Sequence, residues 1–276
     1  MFYLGKGKKG LMYLALIITF TAVYYGTFPV NSLHTIINVL LIIITIIGIV
    51  HCFRIASKGE QDTSKWYAHW YAILLILIIP NIAAVGFRTF YYAPYHVPSS
   101  SMSPNVNLGD YLFAEKRPYG AGKMPQRGDI IIFKNPKDGK DFIKRIIGLP
   151  GDKIEIKHAI LYINDKEVVR KRIEDFNYQV TQHPEKAIKD MPQYLETTPE
   201  GKEYRILNEL TDGPLDNTPV YLVPEHSYFV LGDNRDRSAD SRMPDKVGFI
   251  PEENIIGKVA VVLWNSYTYK FTYRPE

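Results

Sequence analysis

Three apolar stretches dominate the first third of the chain, approximately Leu11 to Val30, Leu33 to Phe53 and Tyr71 to Phe87. Each is about long enough to cross a bilayer as a helix, which takes ~20 mostly apolar residues. The third is flanked by Trp66, Tyr67 and Trp70 on one side and by Phe90, Tyr91 and Tyr92 on the other, the pattern of two interfacial aromatic belts. Its internal Pro80 and Asn81 suit a kinked membrane helix, where neighbouring groups satisfy the freed carbonyl. Buried helices of a soluble core are the alternative, but such helices rarely run this long without a charge.

Flanking charge sets the orientation. Lys6, Lys8 and Lys9 precede the first stretch, the connection from Tyr25 to Leu33 is uncharged, and Arg54, Lys58 and Lys65 lie between the second and third. The positive-inside rule places the N-terminus and the second loop in the cytoplasm, and an odd number of spans then delivers everything after about Arg88 to the other side. A cleavable leader fits less well, because its apolar run would be shorter and no second span would follow at once. The expectation is a multi-pass protein of the inner (plasma) membrane, in contact with the lipid bilayer, whose remaining chain is extracytoplasmic.

With 276 residues there is room for about two domains. The formal net charge of +4 is small for this length and no Arg-rich stripe with interleaved aromatics occurs, which argues against nucleic acid as a partner. The single cysteine, Cys52, excludes an internal disulfide and a Cys-based zinc site. After the apolar third the period becomes that of strands. Tyr111 to Glu115, Asp129 to Lys134, Phe142 to Leu149, Lys153 to Val169 with a break near Asn164-Asp165, Val220 to Val223, Ser227 to Leu231 and Ile255 to Trp264 are short, β-branched or aromatic, and separated by Gly, Pro and Asp. The predicted fold is therefore three transmembrane helices followed by a mostly antiparallel β domain. Residues 171–219 are more polar and carry Pro184, Pro192, Pro199 and Pro214, as expected of a loop-rich excursion.

Three segments can carry chemistry. Pro98-Ser99-Ser100-Ser101-Met102-Ser103-Pro104 is either a Ser/Pro linker or a proline-fixed entry to the strand that Val106, Leu108, Gly109 and Asp110 lead into. Extended alternation would put Ser99 and Ser101 on one side and Ser100 on the other. A serine nucleophile needs a base. His34, His51 and His69 lie in or beside the apolar stretches, while His158, His183 and His226 have no partnered signature. His96, five residues before Ser101, is either a partner or an interfacial polar residue. Phe142-Ile143-Lys144-Arg145-Ile146-Ile147 offers another base, since alternation places Lys144 with Phe142 and Ile146, where poor solvation lowers an amine pKa. Arg145 cannot serve, because a guanidinium stays protonated. A surface lysine that snorkels to water is the competing reading. Gly232 to Arg242 alternates acid, base and hydroxyl. It fails as a calcium loop, lacking Gly at the sixth and Glu at the twelfth position from Asp233, and is either a solvated turn or a network bracing a nearby site.

Together these segments resemble the bacterial type I signal peptidase (leader peptidase) family, membrane-anchored proteases of the Ser/Lys class. The resemblance rests on Pro98 to Pro104, Gly109-Asp110, Arg127-Gly128-Asp129, Lys144-Arg145 followed by Gly148-Leu149-Pro150-Gly151-Asp152, and Gly232 to Asp236 with Ser238, Asp240, Ser241 and Arg242. It implies Ser101 as nucleophile, Lys144 as general base, Ser99 and the Ser101 backbone amide as oxyanion hole, Ser238 orienting the Lys144 amine, and Asp240 paired with Arg242 as support. Tyr95, Val97, Val106, Phe142 and Ile143 would line the substrate pockets. It further implies a membrane anchor over 1–92, a catalytic β core over 93–152 and 223–276, an inserted loop-rich β subdomain over 153–222, exported preproteins with small residues before the cut as substrates, and neither cofactor nor metal. Departures from the family pattern are Asn105 where Thr is usual, Phe142 where Tyr is frequent, and the longer link Met243 to Val247. Rival readings are a repressor-like self-cleaving protein, which the absence of DNA-binding helices disfavours, a specialised maturation peptidase, and an inactive scaffold, which would have lost the Ser or the Lys.

Overall fold

The computed structural model describes residues 92–276 except 117, 120–122, 181–183, 211, 269–270 and 276. The three predicted membrane spans lie outside the described residues, and among the described residues no helix is long and apolar enough to cross a membrane.

Seventeen strands occur among the described residues: β1 Tyr92–His96, β2 Asp110–Glu115, β3 Ile130–Lys134, β4 Asp141–Gly148, β5 Lys153–Lys157, β6 Ile160–Ile163, β7 Lys166–Glu167, β8 Val169–Arg172, β9 Phe176–Tyr178, β10 Ile188–Met191, β11 Gln193–Thr197, β12 Glu203–Leu207, β13 Tyr221–Leu222, β14 Ser227–Leu231, β15 Ile250–Pro251, β16 Ile255–Asn265 and β17 Phe271–Pro275. The main sheet runs β1-β2-β16-β3-β4-β14-β15, with β17 also on β16, and its pairings are antiparallel. The mostly antiparallel β domain expected from the sequence is thus present.

The main sheet is buried on both faces at its centre. In β3 the run Ile130-Ile131-Ile132-Phe133 is at most 2% exposed, as a continuous apolar run predicts for a strand covered on both sides. Alternation sends Ile130 and Ile132 to one core with Val97, Met102, Val106, Leu112 and Val262, and Ile131 and Phe133 to another with Ile146, Tyr228 and Val230. A third core joins Ile147, Phe229 and Leu231 of the main sheet to Ile154, Ile156, Leu161, Tyr204 and Ile206 beyond it.

The chain between β4 and β14 is more regular than its composition indicates. Residues 171–219, read above as loop-rich, contain part of β8 and all of β9 to β12, in a three-stranded sheet β12-β11-β8 and a two-stranded sheet β10-β9. The prolines signalled loops correctly but fall between short strands. The break near Asn164-Asp165 is a two-residue hairpin with positive φ at both residues. A second such hairpin at His158-Ala159, φ 47° and 63°, was not legible because neither residue carries the usual Asn or Gly signal.

Candidate active site

Strand β4 presents Lys144 opposite Ile131 of β3, on the face shared by Phe142 and Ile146. The side chain is 4% exposed, so it does not snorkel to water. Its Nζ lies 2.9 Å from Ser101 Oγ, donates to the Ile143 carbonyl at 2.9 Å, and stands 5.5 Å from the centre of the Phe142 ring. Burial pushes the amine down to about 8, against the opposing attraction of Asp240 and Asp233.

Ser101 opens a turn over 101–105, not an extended run. Ser103 N–H donates to Ser100 O at 3.1 Å and Val106 N–H to Met102 O at 2.9 Å, while Met102 plugs the first core at 1% exposure. The Ser101 carbonyl is held from the opposite loop by Asn234 N–H at 3.1 Å, and Asn234 Nδ2 donates to Ser100 O at 3.3 Å. The Ser101 N–H has no acceptor among the described residues. Ser99 Oγ is 3.3 Å from Ser101 Oγ, so these two hydroxyls share a side as expected.

A cleft of about 500 Å³ opens over this pair, lined by Tyr95, Val97, Ser99, Ser101, Phe142, Ile143 and Lys144 among others. Val106 is not on its wall. It is fully buried in the first core beneath the turn, because the turn that exposes Ser101 points Met102 and Val106 inward. His96 reaches the cleft rim but is exposed, packs on Tyr111 at 4.6 Å between centroids and has its Nε2 3.5 Å from Ser266 Oγ, with no bond to Ser101. Its imidazole is pushed down by partial burial.

The acid and base residues of the third segment form a buried brace. Arg242 donates to both Asp240 oxygens at 2.8 and 2.9 Å and to the Arg235 carbonyl at 2.6 Å, while Asp240 accepts from Gly232 N–H at 3.0 Å. Burial works against the Asp240 charge, and the Arg242 guanidinium outweighs it, holding the carboxyl below the usual range. Ser238 departs from expectation. Its hydroxyl is buried, yet it makes no hydrogen bond to Lys144; it is among the groups near Asp240 that favour that carboxylate's charge. Gly232 explains why the two loops meet so closely, since a Cβ there would stand 2.2 Å from Ser238 Oγ and 2.6 Å from Ser101 O.

Two residues named from sequence take on roles not assigned to them there. Arg145, on the opposite face of β4 from Lys144, donates to both oxygens of Asp233 at 2.8 and 2.7 Å and to Gly128 O at 2.7 Å. Asn105, one of the departures noted above, donates to Asp233 at 2.7 Å and to Arg205 O at 2.7 Å, tying the 101–105 turn to this ion pair. The available signal was an arginine beside a buried lysine in a strand, which alternation must place on the other face with an acid to meet it. Among the described residues no cluster of three or more His, Cys, Asp or Glu side chains is placed to hold a metal ion.

The profile of the family "Signal peptidase, peptidase S26" matches residues 68–264, well over half of the chain. The chain belongs to the signal peptidase, peptidase S26, family. Relatives include signal peptidase I of Rickettsia canadensis (strain McKiel), 35% identical over 236 residues that cover 76% of this chain and 82% of that protein. Signal peptidase I of Rickettsia typhi (strain ATCC VR-144 / Wilmington) is 37% identical over 236 residues, 76% of this chain and 84% of that one. Among solved structures, a signal peptidase I from Enterococcus faecalis V583 is 32% identical and covers 49% of this chain and 97% of its own, with a TM-score of 0.30. Family membership rests on the sequence matches. It makes the chain a peptidase of the S26 family, and the cleft over Ser101 and Lys144 is where its hydrolytic chemistry is sought.

Proposed function

We propose that the protein is a membrane-anchored serine endopeptidase that removes N-terminal signal peptides from exported preproteins, with Ser101 as nucleophile and Lys144 as general base. The observation that carries this reading is the 2.9 Å approach of a desolvated amine to a cleft-lining serine hydroxyl. An amine near 8 is about one-tenth neutral at pH 7, enough to accept a proton yet basic enough to hold it.

Ser101 Oγ attacks the carbonyl carbon of the scissile bond as its proton passes to Lys144 Nζ. The oxyanion accepts hydrogen bonds from the Ser101 N–H and the Ser99 hydroxyl. Collapse breaks the C–N bond, and the departing amine of the mature chain takes the proton from Lys144. Water then attacks the acyl-serine ester, with Lys144 as base again, and releases the signal peptide with its new carboxylate. Tyr95, Val97, Phe142 and Ile143 bound the apolar cleft that receives the residues before the cut. Strand β1, which carries Tyr95, ends the sheet order, and such an edge can pair with an extended substrate backbone.

The orientation inferred from Lys6, Lys8, Lys9, Arg54, Lys58 and Lys65 places this site outside the cytoplasm, where exported chains emerge. A reporter active only outside the cytoplasm, fused after Glu276, should be active. The activity itself is tested by incubating the full-length protein in detergent with a preprotein and sequencing the new N-terminus. Ser101→Ala and Lys144→Arg should both be inactive, the second because a guanidinium does not release its proton. Cleavage by either variant at the wild-type rate would overturn the reading.

A further inference from the structure

Glu196 lies in β11, outside the cleft, and its side chain is 1% exposed. Its carboxylate takes both terminal nitrogens of Arg235, Nη1 at 2.9 Å and Nη2 at 2.5 Å, and the Tyr204 hydroxyl at 2.9 Å. A buried carboxylate and a buried guanidinium are kept charged only by such full pairing. The catalytic steps above use neither group. What they hold is the start of the short 3-10 turn Arg235–Arg237, immediately after Asn234.

Asn234 is the residue whose backbone N–H fixes the Ser101 carbonyl at 3.1 Å and whose side chain fixes Ser100 O. Arg235 is clamped from every side. Its Nε donates to Gly232 O at 3.2 Å, and its carbonyl accepts from Arg242, the partner of Asp240. The neighbouring strand is stitched to the same loop, with Leu207 N–H donating to Asp233 O at 2.8 Å and a parallel bridge between Leu207 and Asn234. The Tyr204 ring also lies 4.5 Å under the Arg145 guanidinium that grips Asp233. From β11 to the nucleophile the contacts run without a gap: Glu196, Arg235, Asn234, Ser101.

We propose that Glu196 is a positioning residue for the peptidase reaction, acting through Arg235 and the Asn234 N–H on the orientation of Ser101. This rests on the reading of Ser101 as nucleophile. The Asn234 N–H holds the Ser101 carbonyl, so it constrains the Oγ that faces Lys144 and the direction of the adjacent N–H meant for the oxyanion. It does not touch the cleft walls that bind substrate. Loss of the clamp should therefore lower kcat and leave KM alone. A displacement of about 1 Å at a reacting group costs on the order of 10²-fold, so a 10- to 100-fold fall is the expected range.

The test is steady-state cleavage of a preprotein by full-length Glu196→Gln, Tyr204→Phe and Ser101→Ala variants, with near-ultraviolet circular dichroism as the fold control. Glu196→Gln should fold, lose at least tenfold in kcat and keep KM within twofold. Tyr204→Phe, which removes one hydroxyl but leaves the Arg235 clamp, should stay within threefold of wild type. A folded Glu196→Gln protein with wild-type kcat, or one changed only in KM, overturns the proposal, as does a Tyr204→Phe loss equal to that of Glu196→Gln. If Glu196→Gln does not fold, the neutral pair Glu196→Gln/Arg235→Gln decides. A folded pair with low kcat and unchanged KM supports the proposal, whereas wild-type kcat, or failure of the pair to fold, makes Glu196 a residue of the fold alone and overturns it. Retained cleavage by Ser101→Ala would instead overturn the nucleophile assignment, so the two failures are separable.

Discussion

Burying the Lys144 amine should cost the folded protein stability, by an amount that depends on pH in a defined way. The amine falls from 10.5 to about 8 chiefly through burial, and at about 1.36 kcal/mol for each tenfold change in proton affinity this is about 3 kcal/mol. Between pH 8 and 10.5 the unfolded chain binds a proton at this position that the folded one has released. Stability therefore rises with pH across that window, and the penalty is fully present below about 8 and gone above about 10.5. Lys144→Met removes the penalty at similar volume, but forfeits the hydrogen bonds to Ile143 O and Ser101 Oγ, worth about 1 kcal/mol each. At pH 7 the variant should be more stable than wild type by about 1 kcal/mol, a rise in Tm of about 2–4 °C for a unit of this size. At pH 10.5 it should be less stable by about 2 kcal/mol, so the order reverses. The assay is thermal unfolding of both full-length proteins in the same detergent, followed by near-ultraviolet circular dichroism at the two pH values, where other groups titrate alike in both. A stability difference that stays constant between pH 7 and 10.5, or a variant less stable at pH 7, would refute the idea that burial sets the base.

The three consecutive serines should separate sharply in single-turnover cleavage: Ser99→Ala slowed about 10²–10³-fold as one oxyanion donor is lost, and Ser100→Ala, whose carbonyl and not its hydroxyl makes the recorded contacts, nearly normal. Asp240→Asn removes a negative charge that raises the Lys144 pKa, so the rise of activity with pH should move below about 8; it also leaves Arg242 buried without its partner, at about 3–5 kcal/mol, visible as a lowered Tm. Gly232→Ala crowds both Ser238 and the Ser101 carbonyl and must push the two loops apart, and cleavage should fall at least tenfold even where the protein remains folded.

What the sequence made legible follows from which interactions are local. The face of Lys144 could be read because alternation in Phe142 to Ile147 is a property of the strand alone, and the expected partners Phe142 and Ile146 are its neighbours in the structure. The pairing of Asp240 with Arg242 is equally local, two residues apart. Val106 and Ser238 were misplaced for the opposite reason. Whether Val106 faces a cleft or a core depends on the bend of the 101–105 turn, and the reach of Ser238 toward Lys144 depends on how its loop sits against a strand far away in sequence. The strands within 171–219 were missed because each is only three to five residues long and is interrupted before a period can repeat. Asn234 was unreadable as a site residue because its contribution is a backbone N–H, which every residue but proline possesses.

The dipeptide Lys144-Arg145 gathers these contacts into one arrangement. A strand sends adjacent side chains to opposite faces, so a single backbone position in β4 sets two anchors at once. Lys144 meets Ser101 Oγ on one face. Arg145, on the other, fixes Asp233, which precedes the residue whose N–H holds the Ser101 carbonyl. The hydroxyl and the carbonyl of Ser101 are thereby referred to one strand, from two sides. A slip of one residue in the β3–β4 register would exchange the faces and put a permanent cation opposite Ser101, where the proposed base stands. The buried pairs of Arg145 with Asp233 and Arg235 with Glu196 are costly to misplace in a way that apolar contacts are not, because a shifted register leaves charges unpaired in the interior. Ionic networks on this face of the sheet therefore guard the register on which the geometry of the amine and the hydroxyl depends.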